Sequence, residues 1–177
     1  MVAYTRPRMA HPMRSKVEVL PAEDGDLDAI NDIYNHYVPI SDCTMETEIV
    51  SLDARRAWFS ENGRRYPILV ARVGGKVIGW ASLSRHRVRR AYDQTAEDAV
   101  YVRDDWQHKG VGTLLLGELI ETARGRELHS IVAVINANHT ASIGLHRKLG
   151  FKEVALLHEA GFKFGRWIDI RYMQLML

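Results

Sequence analysis

Between Tyr101 and Arg124 the chain leaves an apolar run, crosses a polar turn and enters a long amphipathic segment through a Gly-x-Gly. The stretch reads Tyr101-Val-Arg-Asp-Asp-Trp-Gln107-His-Lys-Gly110-Val-Gly112, and Leu114, Leu115, Leu119, Ile120 and Ala123 follow at helical spacing. A strand that hands over to a helix through glycines commits this part of the chain to strand–helix–strand units. A helix N-terminus presents unpaired N–H groups and the positive end of a dipole, which together attract phosphate. Glycine lets a pyrophosphate approach the backbone, and Lys109 can add charge. Gly110 and Gly112 by themselves equally fit a tight turn. No Gly-x4-Gly-Lys-Ser/Thr occurs, which excludes a P-loop, and the missing Gly-x-Gly-x-x-Gly disfavours a dinucleotide site.

The other elements fall around this one. Val17 to Leu20 alternates as a short strand, and Leu27, Ile30, Ile33 and Tyr34 predict a helix over 26–37. Pro39 to Glu48 reads as an irregular loop. Ser51 is a candidate N-cap for a second helix to Glu61, closed by Asn62-Gly63. Two apolar runs flank Gly74-Gly75 as a hairpin, an Arg-rich loop fills 85–95, and Ala96 to Val102 is a strand. A β-branched strand at 129–136, a helix at 140–149 capped by Gly150, and strands near 152–160 and 166–176 complete the chain. The order β-α-α-β-β-β-α-β-α-β-β predicts one mixed α/β domain.

The 177 residues suit one domain, and 46% hydrophobic residues suffice for a core. The longest aliphatic run, Ile131 to Ile135, is far short of the ~20 residues of a membrane span. One cysteine, Cys43, excludes an internal disulfide framework. The eight histidines lack His-x3-His or His-Glu-x2-His spacing, so no metal is expected. The net charge of +2 invites a nucleic-acid reading, but its distribution opposes it. Residues 1–16 carry Arg6, Arg8, Arg14 and Lys16 with no acid; the remaining 20 basic residues face 22 acids, a net −2. Residues 1–16 are therefore read as a flexible basic extension and 17–177 as the domain. The extension lacks a secretory apolar core and is too short and too weakly amphipathic for a good transit peptide, so a cytoplasmic location is expected.

The pattern Gln107-His-Lys-Gly110-Val-Gly112 resembles the acyl-CoA pyrophosphate loop of the GCN5-related N-acetyltransferases (GNAT). Downstream, Asn138-His-Thr-Ala141 leads into a helix that ends at Gly150-Phe151, as in that superfamily. Ile33-Tyr-Asn-His-Tyr-Val38, Tyr66-Pro-Ile-Leu-Val-Ala71, Ala91-Tyr-Asp93, Glu97, Val100-Tyr-Val102, Ser142-Ile-Gly-Leu-His146 and Gly161 to Asp169 look more narrowly like the phosphinothricin and methionine sulfoximine acetyltransferases. The resemblance covers 17–177. It implies a mostly antiparallel central sheet flanked by helices, acetyl-CoA as cosubstrate, an amino-acid-like acceptor and a homodimer.

It also implies roles. An ammonium must lose a proton before it attacks a thioester, and Glu97 corresponds to the family's base. Asp98, next to it, should point to the opposite face of the strand. His146 stands where many superfamily members carry a tyrosine thought to protonate the leaving thiolate; imidazole can serve as acid or base. Val100, Tyr101 and Val102 are expected along the cofactor arm. Gln107, His108, Lys109, Gly110, Val111, Gly112 and Thr113 are expected at the pyrophosphate. His139 occupies the position of a frequent cofactor-contacting asparagine, with Asn138 one residue earlier. Arg87 and Arg89 are favoured for the acceptor's carboxylate or phosphinate. Trp167 is expected over the acceptor or at a dimer interface. Met45 and Val88 replace residues usually aromatic in relatives. Cys43, expected away from both motifs, disfavours an acyl-cysteine route. Two rivals stay open: an acetyltransferase for another amine, such as a peptide N-terminus or polyamine, and a non-catalytic CoA-binding module. An acid-lined polyamine site fits poorly with the arginines of 85–90.

Overall fold

A computed structural model describes residues 16–62 and 65–177. The basic extension, but for Lys16, and the stop signal at Gly63 lie outside the described residues. Seven strands form one sheet in the order β1-β2-β3-β4-β5-β7-β6. They are β1 (Glu18–Pro21), β2 (Ile68–Val73), β3 (Lys76–Arg85), β4 (Thr95–Val102), β5 (Ser130–Asn136), β6 (Lys152–Lys163) and β7 (Arg166–Met176). Four helices interrupt them: α1 (Leu27–Tyr37), α2 (Leu52–Asn62), α3 (Val111–Arg124) and α4 (Thr140–Lys148). Every pairing is antiparallel except β4 with β5. The expected element order and the mixed, mostly antiparallel α/β sheet are both present.

Side-chain alternation divides the core between the two faces of the sheet. Leu69 and Ala71 of β2, Ala81 and Leu83 of β3 and Ala96 of β4 meet Leu115, Leu116, Leu119 and Ala123 of α3. The intervening Ile68, Val70 and Trp80 meet Leu27, Ile30 and Ile33 of α1. Each fully buried Leu, Ile or Val among them contributes roughly 1.5–3 kcal/mol. The start of α1 is pinned to the sheet by Arg72, whose Nη2 donates to both oxygens of the buried Asp26 at 2.7 and 2.8 Å. Ser51 caps α2 as expected, its Oγ accepting from Ala54 N at 3.2 Å.

A bulge breaks the β2–β3 register next to Gly79. Ile78 joins the α3-side core, and a Cβ on Gly79 would also point toward α3. That Cβ would stand 3.0 Å from the Tyr101 carbonyl oxygen and 3.2 Å from a Leu115 methyl. The glycine thus permits close approach of α3 to the strand that leads into the glycine turn. Gly79→Ala should cost about 1–3 kcal/mol through this overpacking, read as a lower midpoint in equilibrium urea unfolding.

Candidate active site

The parallel ladder between β4 and β5 holds for only three residue pairs, Thr95–Glu97 against Ser130–Val132. Both strands then run on, β4 paired to β3 as far as Val102 and β5 paired to β7 as far as Asn136. Beyond Glu97 their facing edges are not joined to each other, which frees gap-facing backbone groups along 98–102 apart from the Val102 carbonyl, which accepts from the Tyr37 hydroxyl. The gap opens into a cleft of about 810 Å³. This is the size of a small-molecule site.

The glycine turn closes one end of the cleft. His108 (φ 56°) and Gly110 (φ 85°) both adopt left-handed backbone, and α3 starts at Val111. A Cβ on Gly110 would meet nothing within 4 Å, so its surroundings are open to a ligand. The side chain of Gln107 points inward, its Nε2 donating to Tyr37 Oη at 2.8 Å. Tyr37 donates in turn to Asp104 at 2.7 Å, and Asp104 faces His36 at 2.6 Å. This chain of polar contacts ties the turn to α1.

The expected residues divide into two groups. Glu97, Val100, Tyr101, Val102, Gln107, His108, Gly110, Gly112, Thr113, His139 and His146 line the one cleft. Val111 is buried in the α3-side core, and Lys109 donates to the Asp105 carbonyl at 2.7 Å beside the Trp106 ring. Asn138 uses its backbone N–H on Asn136 Oδ1 at 2.9 Å. Arg87 and Arg89 are exposed, and neither is in the lining. Trp167, 61% exposed, packs edge-on against Phe162 in the β6–β7 hairpin.

Glu97 belongs to the cleft's α1 side. His86, a residue the sequence reading passed over, places Nδ1 3.5 Å from its Oε2. Burial pushes the Glu97 carboxyl above its ordinary range, helped by the charge of Asp98, while His86 and Arg87 pull it back. Asp98 does point to the opposite face, as alternation requires. That face is the one α4 covers, so His146 meets Asp98 rather than Glu97. His146 Nε2 lies 2.9 Å from Asp98 Oδ2, and Nδ1 donates to the Ser142 carbonyl at 2.7 Å. The side chains of His146 and Asp98 are 5% and 2% exposed. Burial opposes a charged ring, yet the Asp98 charge, its hydrogen bond and the Ser142 carbonyl together hold the His146 pKa above its ordinary value.

The loop between α1 and α2 forms the remaining wall, and here Cys43 departs from expectation. It lines the same cleft as Gly110 and Gly112, together with Thr44, Met45 and Glu46. Burial pushes its thiol pKa up, which works against thiolate formation. Lys163, buried at the end of β6, donates to the carbonyls of Ser41 (2.7 Å) and Thr44 (2.8 Å), and Asn136 Nδ2 donates to that of Asp42 (3.3 Å). Thr44 and Tyr34 share a 2.7 Å hydroxyl contact. Behind Tyr34 the guanidinium of Arg55, 6% exposed, sits against the rings of Tyr34 and Trp58 and donates to Asn31 Oδ1 at 3.2 Å.

Residues 27–151 match a family model described as the acetyltransferase (GNAT) family. The L-methionine sulfoximine/L-methionine sulfone acetyltransferase of Pseudomonas aeruginosa is 46% identical over 154 residues, 86% of this chain and 90% of the relative. The phosphinothricin N-acetyltransferase of Streptomyces viridochromogenes is 37% identical over 166 residues, 92% of this chain and 89% of that protein. Among solved structures, a Salmonella typhimurium protein with its cofactor acetyl-CoA superposes with a TM-score of 0.90 at 39% identity, covering 92% of this chain and 95% of the other.

Lys163→Met should leave the carbonyls of Ser41 and Thr44 without their shared donor. Hydrogen–deuterium exchange in the segment 41–46 is then expected to rise by an order of magnitude, corresponding to about 1–3 kcal/mol, while exchange in α3 stays unchanged.

Proposed function

The chain belongs to the acetyltransferase (GNAT) family, and on that footing we propose that it moves an acetyl group from acetyl-CoA to the α-amino group of a free amino acid or close analogue. The acceptor class is that of phosphinothricin and methionine sulfoximine, and the amine attacks directly in a ternary complex. One observation carries this reading: the gap between β4 and β5 joins a helix N-terminus at one end to a half-buried carboxylate, Glu97, at the other.

Acetyl-CoA supplies an acyl group activated as a thioester. The residues of the chain supply position, charge and proton traffic. The first N–H groups of α3, at Val111, Gly112 and Thr113, face outward from a helix start and suit a pyrophosphate. Gln107 and the Tyr37 network hold the turn in shape for it. The gap-facing edge of Val100 to Val102, which β5 leaves unpaired, offers strand-like hydrogen bonds to the pantetheine arm and an N–H donor to the carbonyl that gains negative charge. His139 stands at the cofactor side of the lining, with Asn138 beside it in sequence. Glu97 takes the proton from the ammonium, and its raised pKa brings it toward that task. His146 acts on the opposite face as the proton donor to sulfur. Arg87, whose charge reaches Glu97, attracts the acceptor carboxylate to the mouth of the cleft, and Arg89 adds positive charge from the same loop.

Glu46 in the lining favours a second reading, an amine acceptor that lacks a carboxylate and carries further positive charge. CoA release measured against a panel of amino acids, including methionine sulfoximine and phosphinothricin, and a panel of polyamines separates the two. Turnover confined to polyamines would remove the first.

The active unit is proposed to be residues 17–177, in a homodimer in the cytoplasm. Support for the dimer comes from the exposed apolar side chains of Val154, Leu156 and Leu157 on the edge strand β6, and of Phe162, Phe164 and Trp167 in the hairpin.

Glu97→Gln should lower kcat by about 10²–10⁴-fold, the range of general base catalysis, with acetyl-CoA affinity retained in calorimetry. A base works deprotonated, so wild-type kcat/KM should fall as pH drops through the raised Glu97 pKa; in Glu97→Gln that limb should vanish. Arg87→Ala should raise KM for a carboxylate-bearing acceptor more than it lowers kcat.

A further inference from the structure

A proton count around His146 leads beyond these roles. Its Nδ1 contacts a backbone carbonyl, which can only accept, so Nδ1 carries hydrogen. Its Nε2 contacts Asp98 Oδ2 at 2.9 Å, a distance that requires one more proton between them. With imidazole ordinarily the stronger base by about 2–3 pH units, that proton belongs on nitrogen. The ring is then an imidazolium and Asp98 its carboxylate counter-ion. The second oxygen, Asp98 Oδ1, is buried with no hydrogen-bond partner among the described residues. A buried carboxylate with one idle oxygen is costly unless a full positive charge stands beside it.

The groups around the ring supply no competing charge. Phe151, just past the C-terminal end of α4, stands with its ring 5.0 Å from the imidazole, and the buried core positions of β5 and β7 on this face of the sheet, Ile131, Ala133, Ile135 and Met173, are apolar. Arg171 of β7 lies on this face and is ion-paired to Glu153 of β6. Arg147 and Lys148 of α4 are exposed, and Glu97 points to the far side of the sheet. Asp98 is thus the charged side chain that acts on His146, and both line the gap between β4 and β5.

We propose that Asp98 is a positioning residue that keeps His146 an imidazolium, so that His146 enters acetyl transfer as an acid whose mobile proton is the one on Nε2. This rests on the acetyl-transfer reading above. As the acyl C–S bond breaks, its electron pair stays on sulfur; the Nε2–H bond breaks and an S–H bond forms. Neutral imidazole remains beside ionised Asp98. As the C–N bond forms, nitrogen gives up two protons in all, one to Glu97 before attack and one as the tetrahedral adduct becomes an amide. One is restored to His146, replacing the proton given to sulfur, and the other leaves to solvent, so the cycle needs no further reactant.

The test is nitrogen-15 NMR of the imidazole rings in the full chain, with His146→Gln to assign the signal. In the wild type both His146 nitrogens should be protonated at pH 7, and the ring should titrate above the ordinary imidazole value of about 6.5. In Asp98→Asn burial acts without its counter-charge, and the midpoint should fall below the ordinary value of about 6.5. Turnover of that variant should drop by about 10²-fold, the lower end for general acid catalysis. Its KM for acetyl-CoA should stay nearly unchanged, and the high-pH limb of kcat should move to lower pH. An unprotonated Nε2 in the wild type at pH 7 overturns the proposal, even if Asp98→Asn fails to fold. So does a folded Asp98→Asn with wild-type kcat. A wild type that acetylates no amine would remove the acetyl-transfer reading, while the ring titration would still judge the pairing.

Discussion

The site depends on a ladder that stops early. Had β4 and β5 stayed paired to their ends, the sheet would be continuous and its backbone groups satisfied internally. Because pairing ends at Glu97 and Val132, two well-supported strand edges face each other across a gap. Each is held in place from its other side, β4 by β3 and β5 by β7, so the opening costs neither strand its anchorage. The helix that follows β4 starts at the gap's mouth, and the helix that follows β5 roofs one face of it. A cosubstrate with a strand-like arm and a phosphate group suits such a place.

Much of this could be read from the residues. Gly110 and Gly112 mark the strand-to-helix turn because left-handed backbone and close approach favour glycine there, and the 3.6-residue spacing after them marks α3. Gly74-Gly75 marks the β2–β3 hairpin for a similar reason. Glu97 and His146 fall in the same cleft, as the order of the motifs led one to expect. Alternation along β4 correctly sent Asp98 to the face opposite Glu97.

What escaped were facts of long-range placement. Nothing in β4 says which of its faces α4 will cover, so the sequence alone does not single out Asp98, the residue His146 meets. In the sequence Cys43 and its loop stand far from the glycine turn, yet Cys43 lines the same cleft. Lys163, more than a hundred residues later, draws that loop onto the cleft wall. His86 sat among four arginines whose charges drew attention away from it, yet it is the ring that stands by Glu97. Arg87 and Arg89 carry the guanidinium groups a carboxylate would suit, but both are exposed and neither lines the cleft.

The bulge at Ile78 and the β3–β4 ladder fix the register of β4, and with it two adjacent carboxylates of unequal reach. A slip of one residue would exchange their faces. Glu97, longer by a methylene, would then crowd the imidazole under α4, and Asp98 would fall short of His86 on the α1 side. The total charge of the sheet would be the same, and so would its composition. The division of labour between the two faces is therefore a matter of phase along one strand, kept by backbone hydrogen bonds that touch neither reactant.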